Sequence, residues 1–376
     1  MSAKPFFFQA PTSIEFGLGA AARVGKRAVG LGMRQVLLVT DKGLVESQMC
    51  AEVEGSLRES GLTVTVFSEV LPDPGAEAIA AAVRAYRAAG ADSLVALGGG
   101  SPMDTAKALG VLAVAGGEDI MPFAFGGTQT PGGIPPLICL PTTAGTGSEV
   151  TCIAIVTHGG AKKLVRHPSL APTLALVDPH LTLGMPPALT ASTGLDALAH
   201  ALEAMTTTMA NPLSDALALD AIERIFNWLP TAVKQGDNLE ARTQMSLAAM
   251  NAGLAFLNGR VHLGHAVGHS LGTVFKVPHG FACAVCLPGI MGFVAPAASE
   301  AMGKIAAVVP DSDVVKATQQ LLADVQAPRL GQLTGKGHAD IAELIQVVEA
   351  TEGRLIDLSL RKPSPADWEQ IFVDGF

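Results

Sequence analysis

Asp196 and His200 lie four residues apart in TASTGLDALAHALEA, and His265 and His279 follow in HAVGHSLGTVFKVPHG. On a helix, positions i and i+4 share a face, so this carboxylate and imidazole would point the same way. The two further imidazoles would complete a set of one oxygen and three nitrogen donors. Such a set suits a divalent first-row metal, Fe²⁺ or Zn²⁺. Any one histidine taken alone reads equally as a satisfied core or surface group, so the rest of the chain has to supply the context.

A second chemistry is written in glycine. SLVALGGGSPMDTAKA reads as strand, tight turn and helix. Gly98, Gly99 and Gly100 would let the backbone approach a phosphate. The helix opening near Ser101 would offer free N–H groups and the positive end of its dipole. The spacing is not GxGxxG, and a glycine turn also serves a plain strand exit. PTTAGTGSEVT follows another apolar strand, and Thr142, Thr143, Thr146 and Ser148 would meet phosphate, ribose or carboxamide. The alternative is a polar turn that satisfies its own backbone. Asp41, at the end of an early strand, would hydrogen-bond the adenosine ribose and repel a 2′-phosphate, favouring NAD(H) over NADP(H). It would serve equally as a helix N-cap.

These groups need elements to hold them. QVLLVT, LTVTVF, SLVAL, PLICLP and ALVDP read as strands alternating with alanine-rich helices, which predicts a mostly parallel sheet covered on both faces. Near GMPPALTASTG the composition changes, and long helical patterns replace the β-branched runs. The expectation is an α/β, Rossmann-like dinucleotide-binding domain over residues 1–186 and an all-helical metal-binding domain over 187–376.

Composition narrows the partners. With 49% hydrophobic and 16% charged residues, the 376-residue chain has material for two large cores and for a subunit contact. A net charge of −9 without basic runs argues against nucleic acid and anionic membrane surfaces. No apolar run is long enough to span a membrane, and MSAKPFFFQAPTSIEFG does not read as a signal peptide, so the cytoplasm is expected. Five scattered cysteines exclude a disulfide framework. Cys283 and Cys286 form a CxxC, a spacing that serves redox or metal-binding thiols, but in the apolar run FACAVCLPGI two buried helical thiols are the better reading.

The separate signals converge on one family. IEFG, PDP, GGGSPMDTAK, PTTAGTGSEVT, LVDPHL, MPPALTASTGLDALAHALEA and HAVGHSLGTVFKVPHG, in this order, resemble the iron-containing (group III) alcohol dehydrogenases. That is the family of lactaldehyde reductase, propanediol dehydrogenase and maleylacetate reductase. The resemblance implies the dehydroquinate-synthase-like architecture, with a Rossmann-like domain, an all-α domain and a cleft between them. It implies metal ligation by Asp196, His200, His265 and His279. It places His269 beside the metal and nicotinamide, as a proton relay or a positioning group, and puts the pyrophosphate at the glycine turn with Ser101 and Asp104. Thr142, Thr143 and Thr146 would line the cofactor, Asp41 would meet the ribose, and Lys163 would approach the nicotinamide ribose, though Lys162 leaves that register open. A homodimer or higher homo-oligomer is implied, with the FFF and IEFG segments pairing strands across it. The expected activity is hydride transfer between NAD(H) and a small alcohol or aldehyde. Its rivals are a maleylacetate-type reductase acting on an unsaturated oxo-acid, a dehydroquinate-synthase-like lyase, and a non-catalytic metal or nucleotide sensor.

Two segments depart from the family pattern. In FLNGRVHLGH, Arg260 and His262 stand where relatives usually carry glycine, and in LVRHPSL, Arg166 and His167 replace aliphatic residues. Arg166, Arg260 and His262 are therefore candidates for binding an anionic group on the substrate, a carboxylate, phosphonate or sulfonate. Internal ion pairs or a subunit contact are the alternative.

Overall fold

The computed structural model describes residues 5–125, 127–128, 130–159 and 161–376. Its chain separates into two compact units. One comprises residues 10–143 and 147–184; the other comprises residues 1–9, 144–146 and 185–376.

The first unit is built on a six-stranded sheet, β1 (Ser13–Phe16), β2 (Gln35–Val39), β3 (Thr63–Phe67), β4 (Ser93–Gly98), β5 (Leu137–Pro141) and β8 (Leu174–Val177). The strand order is β1-β8-β5-β4-β2-β3, and every pairing is parallel. Side chains alternate between two apolar layers, as a pleated strand requires. Val36, Leu38, Val95 and Leu97 pack with α1 (Val24–Gly30) and α3 (Gln48–Glu59). Leu37, Val39, Leu94 and Ala96 pack with α4 (Ala76–Ala88) and α5 (Gly100–Ala115). β2, β4, β5 and β8 are buried on both faces and read as continuous apolar runs, while β3, at the other edge, is legible by its alternation of valine and threonine. The helical stretch after Asp41 is broken into a short α2 (Lys42–Val45) and α3.

β1 falls in the IEFG segment, expected to pair strands across a dimer; it is the edge strand of the sheet and pairs with β8 of its own chain. A separate antiparallel hairpin, β6 (Ile153–His158) and β7 (Ala161–Arg166), goes unanticipated, although IAIVTH before Gly159 carries the alternation of a hairpin arm.

The second unit is helical. α6 (Pro187–Met205) opens with proline at its first position, where the absent N–H does no harm. α7 (Pro212–Lys234) and α8 (Leu239–Gly259) are capped by the Asn211 and Asn238 side chains. α9 (Leu263–Phe275), α10 (His279–Ala284) and α11 (Leu287–Val294) follow, with further helices between Ser299 and Gly375. The shared core includes Leu198, Ile222, Leu229, Val267, Ile290, Leu321, Trp368 and Phe372. Among the described residues, no helix is long and apolar enough to cross a membrane.

Candidate active site

Three helices each contribute a pair of polar residues four apart: Asp196 and His200 from α6, His265 and His269 from α9, His279 and Cys283 from α10. Each pair shares a helix face, and α10 packs on both α6 and α9. Glycines permit that approach. A Cβ at Gly280 would overlap the Ser192 carbonyl, and one at Gly268 would overlap the Cys283 sulfur.

One donor atom from each of Asp196, His265, His279 and Cys283 falls within 4.8 Å of the others. Asp196 Oδ1 lies 3.8 Å from His265 Nε2 and 3.7 Å from His279 Nε2, too far for hydrogen bonds. Asp196 Oδ1 and His265 Nε2 are buried without a hydrogen-bond partner. Two such orphans cost about 1–3 kcal/mol each, and a cation between them would satisfy both. The donor set therefore fits a metal. His200 is outside that quartet but beside it, its ring stacked on His265 at 4.6 Å and on Phe256 at 4.2 Å. Burial pulls its pKa down to about 4, against the opposing pull of Asp196. The ring is thus neutral near pH 7, and its buried Nδ1 has no hydrogen-bond partner.

The residue that organises this cluster lies outside the expected ligand set. Glu203, fully buried, accepts hydrogen bonds from the backbone N–H groups of His262 (2.9 Å) and Gly264 (2.7 Å), and also from the His265 Nδ1–H. Burial alone would raise its pKa, but His265, His262 and these hydrogen bonds hold it down to about 2. A carboxylate on Nδ1 fixes the ring so that Nε2 faces the cluster. Glu203 is seven residues after Asp196, two turns along the same face of α6, but its partners on α9 leave no local signature.

His262, at the start of α9, is fully buried and its Nε2 pairs with Thr206 Oγ1 at 2.8 Å. His269 stacks on His279 with ring centroids 5.5 Å apart, and its Nδ1 lies 3.6 Å from Glu352 Oε2. Arg260 caps the end of α8 with φ 76° and ψ 175°, a conformation otherwise left to glycine.

In the sheet unit, β4 ends at Gly98 with φ 151°, and Gly99 caps α5. The Thr142 N–H donates to the Gly98 carbonyl at 3.0 Å. A Cβ on Gly99 would stand 3.2 Å from the Thr143 side chain. Ser101 lies in the first turn of α5. Asp104 accepts from Ser148 Oγ (2.6 Å) and the Ile155 N–H (2.9 Å), tying the 141–151 loop and β6 to α5. Asp41 caps α2 by accepting from the Leu44 N–H at 3.0 Å. Lys162 pairs with Asp73 at 3.0 Å, while Lys163 and Arg166 occupy β7 opposite Val156 and Ile153. His167 Nδ1 engages Ser169 Oγ at 2.7 Å. Thr146 groups with the helical unit.

Comparison with known proteins agrees over nearly the whole chain. The family model for iron-containing alcohol dehydrogenase matches residues 11–179, and that for the C-terminal region of the same family matches residues 190–372. An NAD-dependent methanol dehydrogenase from Bacillus methanolicus is 38% identical over 310 residues, covering 81% of this chain and 80% of its own. A solved 1,3-propanediol oxidoreductase superposes with a TM-score of 0.93 at 33% identity, covering 99% of this chain and 100% of its own. A sulfoacetaldehyde reductase from Bifidobacterium kashiwanohense, solved with NAD⁺, gives a TM-score of 0.91 at 28% identity, covering 99% and 98%.

Proposed function

The chain belongs to the iron-containing alcohol dehydrogenase family, and from that premise we propose that it interconverts a small alcohol and its aldehyde with NAD(H) and one divalent metal. The observation that carries this reading is the pair of orphaned buried donors, Asp196 Oδ1 and His265 Nε2, facing His279.

Asp196, His200, His265 and His279 would hold the metal. A metal held there would supply Lewis-acid polarisation of the substrate oxygen, and a bound nicotinamide would supply or accept the hydride. The residues do the rest. Glu203 keeps His265 in the ligating tautomer. His269, beside His279 and 3.6 Å from Glu352, is placed to pass the alcohol proton outward. Gly98, Gly99, Gly100 and Ser101 would receive the pyrophosphate, and Thr142, Thr143 and Thr146 would line the cofactor. Lys163 would approach its ribose. The open edge of β1 supports strand pairing across a homodimer.

One observation favours an anionic substrate. Holding Arg260 in a glycine conformation costs roughly 1–3 kcal/mol, where glycine would cost nothing, so the guanidinium is retained for a purpose. We assign it to a carboxylate or sulfonate on the substrate; the sulfoacetaldehyde reductase is a relative of compatible chemistry. His262 is enclosed and serves Thr206 instead.

Metal analysis with a panel of aldehydes and both nicotinamide cofactors tests this reading. NADH oxidation should require Fe²⁺ or Zn²⁺ and should be fastest with acid-bearing aldehydes. Arg260→Gly should unfold at higher denaturant yet lose roughly tenfold or more in kcat/KM for those aldehydes. Simple alcohols or diols outrunning every acid would remove the arginine assignment and leave the dehydrogenase standing.

A further inference from the structure

We propose that Lys107 is a positioning residue for the dinucleotide: its ammonium fastens the far end of the 141–151 loop to α5, so that the loop meets the cofactor already in shape. This rests on the cofactor reading above and adds to it a residue that acts through the loop. Lys107 lies on α5, the helix that opens at the glycine turn, and it is fully buried. An ammonium has three N–H bonds to give. Here they meet the Ser148 carbonyl at 2.6 Å, Ser148 Oγ at 2.7 Å and the Ile153 carbonyl at 2.8 Å, with Thr151 Oγ1 further off at 3.4 Å. Asp104, one turn earlier on α5, stands 3.9 Å from the ammonium, and the serine joins the two. Ser148 Oγ donates to Asp104 Oδ1 at 2.6 Å, and Asp104 Oδ2 accepts from the Ile155 N–H at 2.9 Å.

The near end of the same loop is held by the Thr142 N–H on the Gly98 carbonyl at 3.0 Å. Both ends are thus anchored to the strand, turn and helix that would receive the pyrophosphate. A methionine would fill the space of Lys107 without the cost of burying a charge. What the lysine adds is the grip of its N–H groups on the oxygens of the loop. A loop ordered in advance spares the cofactor the entropy of ordering it, and one freed backbone residue is enough for roughly a tenfold loss of affinity.

Hydrogen exchange and NADH fluorescence on the full-length, metal-loaded protein test this without recourse to turnover. In the wild type, amides over 147–155 should be protected before NADH is added and change little when it binds. Protection that appears only with NADH would overturn the inference, whether or not any variant folds. Lys107→Met should fold, keep its metal, lose that protection and bind NADH roughly tenfold or more weakly. Its affinity for adenosine monophosphate, whose phosphate needs only the glycine turn, should hold. A folded Lys107→Met with wild-type NADH affinity would overturn the inference and leave the cofactor reading standing. So would an equal loss of NADH and adenosine monophosphate, which would mean that the whole unit has loosened. A wild type that binds no NADH would remove the cofactor reading and this inference together.

Discussion

Around Asp196, three helices gather side-chain donors and leave several unsatisfied, while around Gly98 the charged side chains are already engaged and the glycine backbone and the unpartnered Thr143 hydroxyl are what remain. Asp104 is bonded to Ser148 and Ile155, Asp41 to Leu44, and Lys107 donates to Ser148 and the Ile153 carbonyl. The sheet unit keeps its shape with its polar side chains and would offer a nucleotide the amides of a glycine turn. In the helical unit the buried Glu203 carboxylate is fully bonded and aims His265, whose other nitrogen has no hydrogen-bond partner. A small, highly charged cation needs converging side-chain lone pairs; a long, diffuse dinucleotide is met by a groove of backbone.

The sharpest way to break this contrast is to damage each region separately. Asp196→Ala or His200→Ala should remove the metal and lower turnover by roughly a thousandfold or more, about 4 kcal/mol of transition-state stabilisation, with NADH binding by fluorescence unchanged. Gly99→Ala, which sets a methyl against Thr143, should do the reverse, weakening NADH while the metal content holds. If either substitution removes both ligands, the two regions are not separately built.

Next in size is the carboxylate behind His265. Glu203→Ala strands buried N–H groups and should cost roughly 3–5 kcal/mol of stability in denaturant unfolding. Glu203→Gln keeps an acceptor, so it should fold better yet lower metal affinity roughly 10–100-fold. Equal metal affinity in Gln and wild type would reduce Glu203 to a packing role.

How legible each region is in the sequence follows from the same contrast. Asp196 with His200 declares itself by spacing, because a helix turns i and i+4 into neighbours. Cys283 obeys that rule relative to His279 and was still read as a core thiol, because FACAVCLPGI shows only apolar surroundings. Its place beside α6 and α9 depends on Gly268 and Gly280, a packing fact with no local signature. Glu203 was hidden for a similar reason, since its partners are backbone amides of α9, about 60 residues onward. In the sheet unit the strands were plain from their apolar runs, yet Asp104 and Asp41 could not be sorted between ligand and backbone from sequence. A carboxylate at a strand end suits either.

Within the sheet unit, one buried group sets a pH limit. Glu149 is 3% exposed, and burial raises its pKa from 4.5 to about 7 against the pull of Lys107. The folded state therefore holds this proton more tightly than the unfolded chain. Its stabilising effect is complete below pH 4.5 and is lost as pH rises through about 7. Relative to Glu149→Gln, the wild type should lose on the order of 3 kcal/mol across that window. Parallel stability curves for the two proteins would mean the carboxylate finds water or a cation.

The smallest effect belongs to Asp41. Its Oδ1 accepts from the Leu44 N–H, which leaves the other oxygen for a ribose hydroxyl, so capping and cofactor choice can coexist in one side chain. Asp41→Gly removes both, and glycine is a fair N-cap, so stability should fall by only a few tenths of a kcal/mol. Preference should move more: removing the negative charge should raise kcat/KM for NADPH several-fold relative to NADH. Asp41→Asn separates the two roles, because asparagine caps as well as aspartate but carries no charge to repel a 2′-phosphate. If Asp41→Asn shifts the cofactor ratio as Asp41→Gly does, the charge sets the preference. If only the glycine variant shifts it, the ratio follows the set of α2, and the contrast between side-chain and backbone recognition extends to the ribose.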